Sequence, residues 1–530
     1  MTAAGIGPEG RVVTFIDMGT NSIRVLVVRL NPNHSYTILT RQKQQVRLGE
    51  GEFEDEEITA EAMDRAVIVA KKFVDLARTF NSEEFVAVAT SATREASNQN
   101  EILHRIRQEA QLDIRVISGR EEARIIYLGV VSGTHIGNRR VFCIDIGGGS
   151  TEIAIGDAQD YHYLDSFRLG AIRLANLYGS GDEKGIVSPE HYKKIQQHVK
   201  NAIVHSAGTI RNYKADCAIG SSGTVMNLAE IAERTFHSPG STVPGGNGPT
   251  LSYKDLKKII EMLCPLTLEQ RRKVPGINPE RADIIIHGAI VLEVFMKELA
   301  LSEITITGRG LQDGLLVDYL SRMDNFPLLG ELTPRQRSVL QLGRSCGINE
   351  VHARTVTTLV LEMFDSAKTK KLHDFSETER ELLEYAAFLH DIGSFISFTD
   401  HHSHSYYIIR NSELLGFNDR EVNLMALLAR FHRKKSPKRK DLVVTDLDAH
   451  DQHVLRLLSS FLRLGESLDR SHAALVQHVR FSAADKDAAC FEIITRGDCQ
   501  LEIWGIENEK KAFEKAFGKK LVIEVVESHQ

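Results

Sequence analysis

The chain has 530 residues, 42% of them hydrophobic and 26% charged, with a net charge of −6. That is the composition of an ordinary globular protein, too long for one core, with three or four domains expected from size. The mild negative charge argues against nucleic-acid binding over most of the surface, and no run approaches the ~20 apolar residues of a membrane span.

The first elements carry the most information. An apolar run ends in Asp17 and turns through Gly19, Thr20, Asn21 and Ser22 into a second strand, Ile23 to Leu30. A β-hairpin with a small-residue tip lets phosphate oxygens approach the main chain, and Arg24 just behind the turn adds a cation. An acidic loop follows, Glu50 to Glu57, and then a helix from about Thr59 to Phe80 with apolar residues at helical spacing. Strand Phe85 to Ala89 leads into Thr90-Ser91-Ala92-Thr93-Arg94, whose hydroxyls and guanidinium suit phosphate oxygens. Strand Ile114 to Ile117 then opens a helix at Ser118-Gly119-Arg120-Glu121-Glu122. Ser118 and Glu121 fit a capping box, which assigns Glu121 to the cap. Glu122 has no such duty, and sits where an α/β sheet binds ligands, placed to activate a water. The plain alternative is an acid complementing the helix dipole.

The opening pattern then recurs. Cys143-Ile144-Asp145 ends a strand, and Gly147-Gly148-Gly149-Ser150-Thr151 turns into Glu152-Ile153. Asp145 lies 128 positions after Asp17, so two related lobes closing on one phosphate are expected. Asp17, Asp145 and Glu152 supply oxygen ligands that suit Mg²⁺. Further on, Gly220-Ser221-Ser222-Gly223-Thr224 joins a strand to a helix, another anion-binding geometry. The β-β-β-α-β-α-β-α order, given twice, reads as a duplicated α/β domain.

Past Leu320 the periodicity becomes helical to about Leu468, and from about Val479 it alternates again: Cys490-Phe-Glu-Ile-Ile, Leu501-Glu-Ile-Trp, a Lys-rich helix, then Leu521-Val-Ile-Glu-Val-Val. The expected domains are 1–135 and 136–325 (the two lobes), 326–478 (helical) and 479–530 (small α+β module). Six scattered cysteines without a C-x-x-C pair are incidental thiols, and the first ten residues contain no signal-peptide core, so the cytoplasm is the expected location.

Several of these segments together resemble the exopolyphosphatase/guanosine pentaphosphate phosphatase family. They are Asp-x-Gly-Thr-Asn-Ser-x-Arg at 17–24, Thr-Ser-Ala-Thr-Arg-Glu-Ala at 90–96, Ser-Gly-x-Glu-Glu-Ala-Arg at 118–124 and Asp-Ile-Gly-Gly-Gly-Ser-Thr-Glu at 145–152. Gly-Ser-Ser-Gly-Thr at 220–224 and Pro-Gly-Ile-Asn-Pro-Glu-Arg-Ala-Asp at 275–283 complete the set. The resemblance implies two actin-like, ribonuclease H-like lobes of the sugar kinase, actin and heat-shock chaperone ATPase superfamily. It makes Glu122 the catalytic base, Asp145 and Glu152 the metal-side carboxylates, and Arg94 and Arg281 contacts to a chain of phosphates. One position departs from it: Gln312 stands where a basic residue is expected. The implied activity is Mg²⁺-dependent release of orthophosphate from inorganic polyphosphate, in a homodimer, without nucleic acid or membrane. Hydrolysis of guanosine pentaphosphate is the close alternative. A sugar-kinase-like phosphotransferase lacks the Ser-Gly-x-Glu-Glu-Ala-Arg helix start, and a non-catalytic sensor would not need all three carboxylates.

Longer members of that family carry a helical domain resembling HD phosphohydrolases. Here His352, His390-Asp391 and His404 recur at its intervals, followed by His432, with Glu466 or Asp469 late in the domain. An active second metal site and a relic fold that only shapes a cleft both remain open. Arg430 to Lys440 holds seven basic residues, including Lys434, Lys435 and Lys438, and no acid. It reads as a track for a polyanion or as a solvated face.

Overall fold

The computed structural model describes residues 10–50, 56–158, 160–179, 181–236, 249–323, 332–438, 441–445 and 447–527. Residues 51–55 of the acidic loop and Arg439 and Lys440 of the basic run lie outside them. The chain divides into two compact units, Met1–Pro334 and Arg335–Gln530.

Among the described residues the first unit contains two sheets. One has the order β3-β2-β1-β4-β5, from β1 (Arg11–Met18), β2 (Ser22–Leu30), β3 (Tyr36–Gln45), β4 (Glu84–Ala89) and β5 (Arg115–Val116). The other is built from β6 (Val141–Ile146), β7 (Thr151–Gly156), β8 (Tyr161–Phe167), β9 (Cys217–Ser221), β10 (Thr250–Ser252) and β11 (Glu303–Ile306). Read from its outer hairpin it runs β8-β7-β6-β9-β11-β10. In both, three antiparallel strands are followed by parallel ones, so the second sheet repeats the first and adds β10 at its edge. Mixed sheets of this kind, alternating with helices, match the actin-like architecture expected from the duplicated motif.

The central strands are near-continuous apolar runs because helices cover both faces of each sheet. Helix Ala60–Thr79 starts at Thr59, whose hydroxyl accepts the Ala62 amide, and buries Ala66, Ala70, Phe73 and Val74 against the first sheet. Helix Ile285–Glu298 is apolar all round and almost wholly buried in the second lobe. The lobes are joined by helix Gly119–Gly133, which packs on helix Leu311–Ser321 at backbone contact distance. A Cβ at Gly314 would lie 1.8 Å from the Ile125 carbonyl oxygen, and one at Gly129 would lie 2.3 Å from that of Gly310.

In the second unit, helices Glu350–Thr369, Glu377–Leu389, Asp419–Arg430 and Ala449–Leu468 enclose one core. A three-stranded sheet, ordered β12 (Val476–Ala484), β13 (Ala488–Thr495), β14 (Lys520–Glu527), draws on the same core: Phe461 meets Phe481, Phe513 and Phe517. Leu501-Glu-Ile-Trp, which alternates like a strand, is instead the first turn of helix Gln500–Phe517. The helical repeat wins because Glu502, Gly505, Ile506 and Phe513 fall on its buried side. Among the described residues, no helix is long and apolar enough to cross a membrane.

The Gly129/Gly314 crossing generates a stability prediction. Gly314→Ala meets backbone that has nowhere to move, and should cost ~1–3 kcal/mol, lowering the melting temperature of the first unit by several degrees. Gly208→Ala lies mid-helix on an exposed face with nothing within 4 Å, and should instead stabilise by ~0.5–1 kcal/mol. Thermal melts of the two variants, run in parallel, check both signs.

Candidate active site

The two hairpin tips are built alike. The Gly19 amide donates to the Ser22 carbonyl at 3.1 Å, and the Gly147 amide to the Ser150 carbonyl at 2.9 Å. The carbonyls of Thr20 and Asn21 accept amides from residues 46, 47 and 49, while those of Gly147 and Gly148 accept amides from residues 171–173. The carbonyl side of each turn is thereby anchored to its own lobe. The tips nearly touch: a Cβ at Gly149 would lie 2.5 Å from Ser91 Oγ and 2.7 Å from Thr20 Oγ1, so only glycine fits. Between them opens a cleft of about 810 Å³.

Strand register places the chemistry. In the first sheet Asp17, Arg24 and Lys43 lie side by side across β1, β2 and β3. In the second, the matching row is Asp145, Glu152 and Ser166 across β6, β7 and β8, with Ser221 on the other flank in β9. Ser221 donates its hydroxyl to Asp145, and Ser166 donates to Glu152 at 2.8 Å. Glu122, on the first turn of helix Gly119–Gly133, receives a hydrogen bond from Arg94 at 2.9 Å.

Of the four acids, Asp17, Glu122 and Glu152 are buried and Asp145 is half-buried, and desolvation drives each toward its neutral form. Asp17 rises to about 6, against the opposing pull of Arg24. Glu122 rises to about 7 although Arg94 lowers it. Asp145 rises with Ser221 opposing, and Glu152 rises well above the usual carboxylate range, from burial and from the neighbouring Glu122. The cations facing them respond in kind. Burial, Arg281 and Arg24 lower Lys43 to about 8, and burial and Arg24 lower Arg281 to about 10.

The expected binding residues divide into two groups. Gly19, Thr20, Asn21, Ser22, Arg24, Gly147, Gly148, Gly149, Ser150, Ser222, Gly223, Thr224 and Arg281 line the cleft, as do Asp17, Glu122 and Asp145. The others serve behind it. Ser91 donates to Glu95, which Arg173 of the second lobe also holds, and Thr151 donates to the Leu169 carbonyl. Arg94 is spent on Glu122 and the Ile117 carbonyl, and Thr93 is buried. At 220–224 the Thr224 and Val225 amides are taken by Ser222 Oγ, and Ser222 holds the left-handed φ of 86°. Glu121 does not return to its cap: Ser118 accepts its amide, but its carboxylate grips Arg124 at 2.8 and 2.9 Å.

Lys43 was not foreseen, since only a three-strand register brings it beside Arg24. Gln312, which stands where a basic residue is expected, lines the cleft, and its buried Nε2 has no hydrogen-bond partner. An Mg²⁺ ion fits the oxygen-only donors here, and the buried Asp17 Oδ1 has no hydrogen-bond partner. Asp17, Asp145 and Glu152 do not form a closed cage. Among the described residues, groups of three or more ligand atoms lying within 4.8 Å of one another occur only in the second unit.

There, His352, His390, Asp391 and Glu466 gather, and Asp391 also meets His401 and His432. His401 takes the place expected of His404, which lies three residues, a rise of about 4.5 Å, further along helix His401–Arg410. Of the basic run, Arg433 approaches His401 at 3.3 Å, Arg430 covers the Tyr406 ring, and Lys434 pairs with Asp400. Lys435 and Lys438 lie on the same stretch.

The chain was compared with known proteins. A model of the Ppx/GppA phosphatase family matches residues 26–323, and one of Ppx/GppA phosphatase domain III matches residues 335–510. Among solved structures, an exopolyphosphatase from Cytophaga hutchinsonii is 28% identical, with a TM-score of 0.54 over 61% of this chain and 100% of that one. An exopolyphosphatase-like protein is 26% identical, with a TM-score of 0.51 over 58% and 98%.

The buried acids generate a pH prediction. Unfolded carboxylates ionise near pH 4, whereas Asp17 and Glu122 stay protonated in the fold up to about 6 and about 7. Between these limits the folded state holds more protons, so stability of chelator-treated protein should fall as pH rises from about 4.5 to 7. Glu122→Gln removes one of these groups. Urea midpoints of the first unit at pH 5 and pH 7.5 should therefore differ less in the variant than in the parent.

Proposed function

Because the chain belongs to the Ppx/GppA phosphatase family and is a phosphoanhydride hydrolase, we propose that it releases terminal orthophosphate from inorganic polyphosphate, with Glu122 activating the water. The observation that carries this reading is the position of Glu122. It is a buried carboxylate on the cleft wall, oriented by Arg94, with a proton affinity raised toward neutral pH. A general base works best when its pKa lies near the operating pH.

The chain end enters between the hairpin tips, whose small residues leave room for phosphate oxygens at the main chain. Arg24 and Lys43 lie side by side in the first sheet, and with Arg281 they line the cleft; burial and the neighbouring guanidinium groups lower the proton affinity of Lys43 and Arg281, a cost that a polyanion bound there relieves. Water passes a proton to Glu122 as its oxygen attacks the terminal phosphorus. The bridging P–O bond breaks, and the shortened chain departs with the negative charge. Asp17 and Asp145 on the cleft wall, with Glu152 behind Asp145, would hold Mg²⁺, which would offset charge on the phosphate oxygens.

Polyphosphate is preferred over guanosine pentaphosphate because none of the described residues lining the cleft is aromatic. A guanine base finds no ring to stack on, and such stacking is worth ~1–3 kcal/mol. Steady-state rates on long polyphosphate and on guanosine pentaphosphate, measured side by side, test the substrate. A higher kcat/KM on the nucleotide would replace the first reading with the second.

Glu122→Gln should lose about 10²- to 10⁴-fold in kcat while substrate binding persists. Glu121→Gln, which alters the pairings with Arg124 and Arg115 and nothing on the cleft wall, should stay within a few-fold of the parent. Activity should rise with pH through about 7 as Glu122 loses its proton. Since Arg94 lowers the Glu122 pKa, Arg94→Met should move that rise to higher pH, which a pH–rate profile detects. Replacing Asp145 with Ala should raise the Mg²⁺ concentration giving half-maximal activity.

A further inference from the structure

The ion pair between Arg173 and Glu95 lies behind the cleft and crosses from one lobe to the other. Arg173 stands on helix Ala171–Tyr178, whose first amides hold the Gly147 and Gly148 carbonyls. Its guanidinium spreads over three acceptors. Nε donates to the Gly149 carbonyl at 2.7 Å, and Nη2 donates to Glu95 Oε2 at 2.8 Å and to Ser91 Oγ at 3.3 Å. Ser91 Oγ donates in turn to Glu95 Oε1 at 3.0 Å, so both carboxylate oxygens are engaged. The pair is covered: the Arg173 side chain is 9% exposed and that of Glu95 13%.

The first-lobe end of this pair is helix Ser91–Glu95. Five residues make little more than one turn, far below the ~12–15 at which an isolated helix becomes even marginal, and Thr90 gives it no side-chain cap. Contacts from outside must therefore set its direction. Arg173 holds Ser91 and Glu95. Arg94, the residue before Glu95, points about 100° away around the helix axis. It donates to Glu122 at 2.9 Å and to the Ile117 carbonyl at 3.0 Å. One buried guanidinium thus ties Gly149, in the second hairpin turn, to the helix that presents Arg94 to Glu122. Stability alone is a weak reason for such a pair, because taking both charges out of water costs roughly what their attraction gains.

We propose that Arg173 and Glu95 are positioning residues for the hydrolysis, coupling the seat of the Gly147–Ser150 turn to the aim of Glu122; this rests on Glu122 being the base. With the turn seated, Arg173 holds Glu95, the short helix keeps its rotation, and Arg94 keeps the Glu122 carboxylate directed at the water. Without the link the helix can turn, and a misplacement of ~1 Å at a reacting group can cost about 10²-fold. Neither residue meets the substrate. Arginine is required because its planar fork reaches Gly149 and Glu95 together, which a single ammonium does not.

The test is hydrolysis of long polyphosphate by the full chain at saturating Mg²⁺. Glu95→Gln/Arg173→Met carries neither buried charge and should melt close to the parent. It should nevertheless lose about 10- to 10²-fold in kcat. KM should stay within a few-fold, because Arg24, Lys43 and Arg281 stand on other elements and the amides of residues 171–173 still anchor the turn. Arg168→Met, which removes only an exposed contact to Glu95, should match the parent. Adding Arg94→Met to the paired variant should cost little beyond Arg94→Met alone, since residues acting through one another are not additive. Should the paired variant fail to fold, Arg173→Lys keeps the charge but not the fork, and its kcat should fall likewise. Near-parental kcat in Glu122→Gln would remove the base and the coupling with it. With Glu122→Gln inactive, parental kcat in Arg94→Met or in the paired variant, a loss confined to KM, or losses that multiply when combined would overturn the coupling alone.

Discussion

Four desolvated carboxylates around one cleft are the constraint on which the first unit depends. Removing a charged acid from water is costly unless a partner or a proton neutralises it. Asp17, Glu122, Asp145 and Glu152 are balanced by the cations Arg24, Lys43, Arg94 and Arg281 and by the hydroxyls of Ser221 and Ser166, and Lys43 lies close to Arg24 and Arg281. The result is a polarised pocket in which the acids bind protons more tightly than usual, and Lys43 and Arg281 bind theirs less tightly. On the proposed reading, a phosphate chain with its counter-cation would relieve both groups and so tie substrate binding to the stability of the fold.

Duplication makes this arrangement possible. Each sheet contributes one row across three strands, and the two rows differ in one decisive way: Arg24 occupies in the first lobe the place Glu152 holds in the second. The first hairpin is thereby biased toward anions and the second toward cations, from the same backbone. The tips approach until only Gly149 fits against Thr20 and Ser91. The Arg173–Glu95 pair at 2.8 Å and the Arg47–Asp283 pair at 2.9 Å fasten the lobes beside them.

The second unit solves a different electrostatic problem. It gathers imidazole nitrogens where the cleft gathers carboxylate oxygens, and it fixes their orientation with backbone carbonyls at the ends of helices Glu377–Leu389 and Asp419–Arg430. Its sheet and helices share one aromatic core around Phe461, so its histidine-bearing helices are braced by the terminal strands.

Much of the first unit was legible in the residues. The Asp-plus-small-residue hairpins, their repetition and the helix start at Ser118 are local features, set by turn chemistry and capping over a few positions. The structure places Asp17, Glu122 and Asp145, singled out from those features, on the wall of one cleft. What the sequence could not decide is which side chain meets which across non-adjacent strands. Lys43 reaches the cleft only through the register of β3 on β2, while Ser91 and Arg94 are turned to Glu95 and Glu122. Likewise, the spacing singled out His404, but the way its helix enters the histidine cluster places His401 there instead, with Glu466 in the cluster and Asp469 behind His352. Local geometry is written in neighbouring residues. Partner choice depends on packing that brings together positions more than a hundred residues apart, and only the tertiary structure determines that.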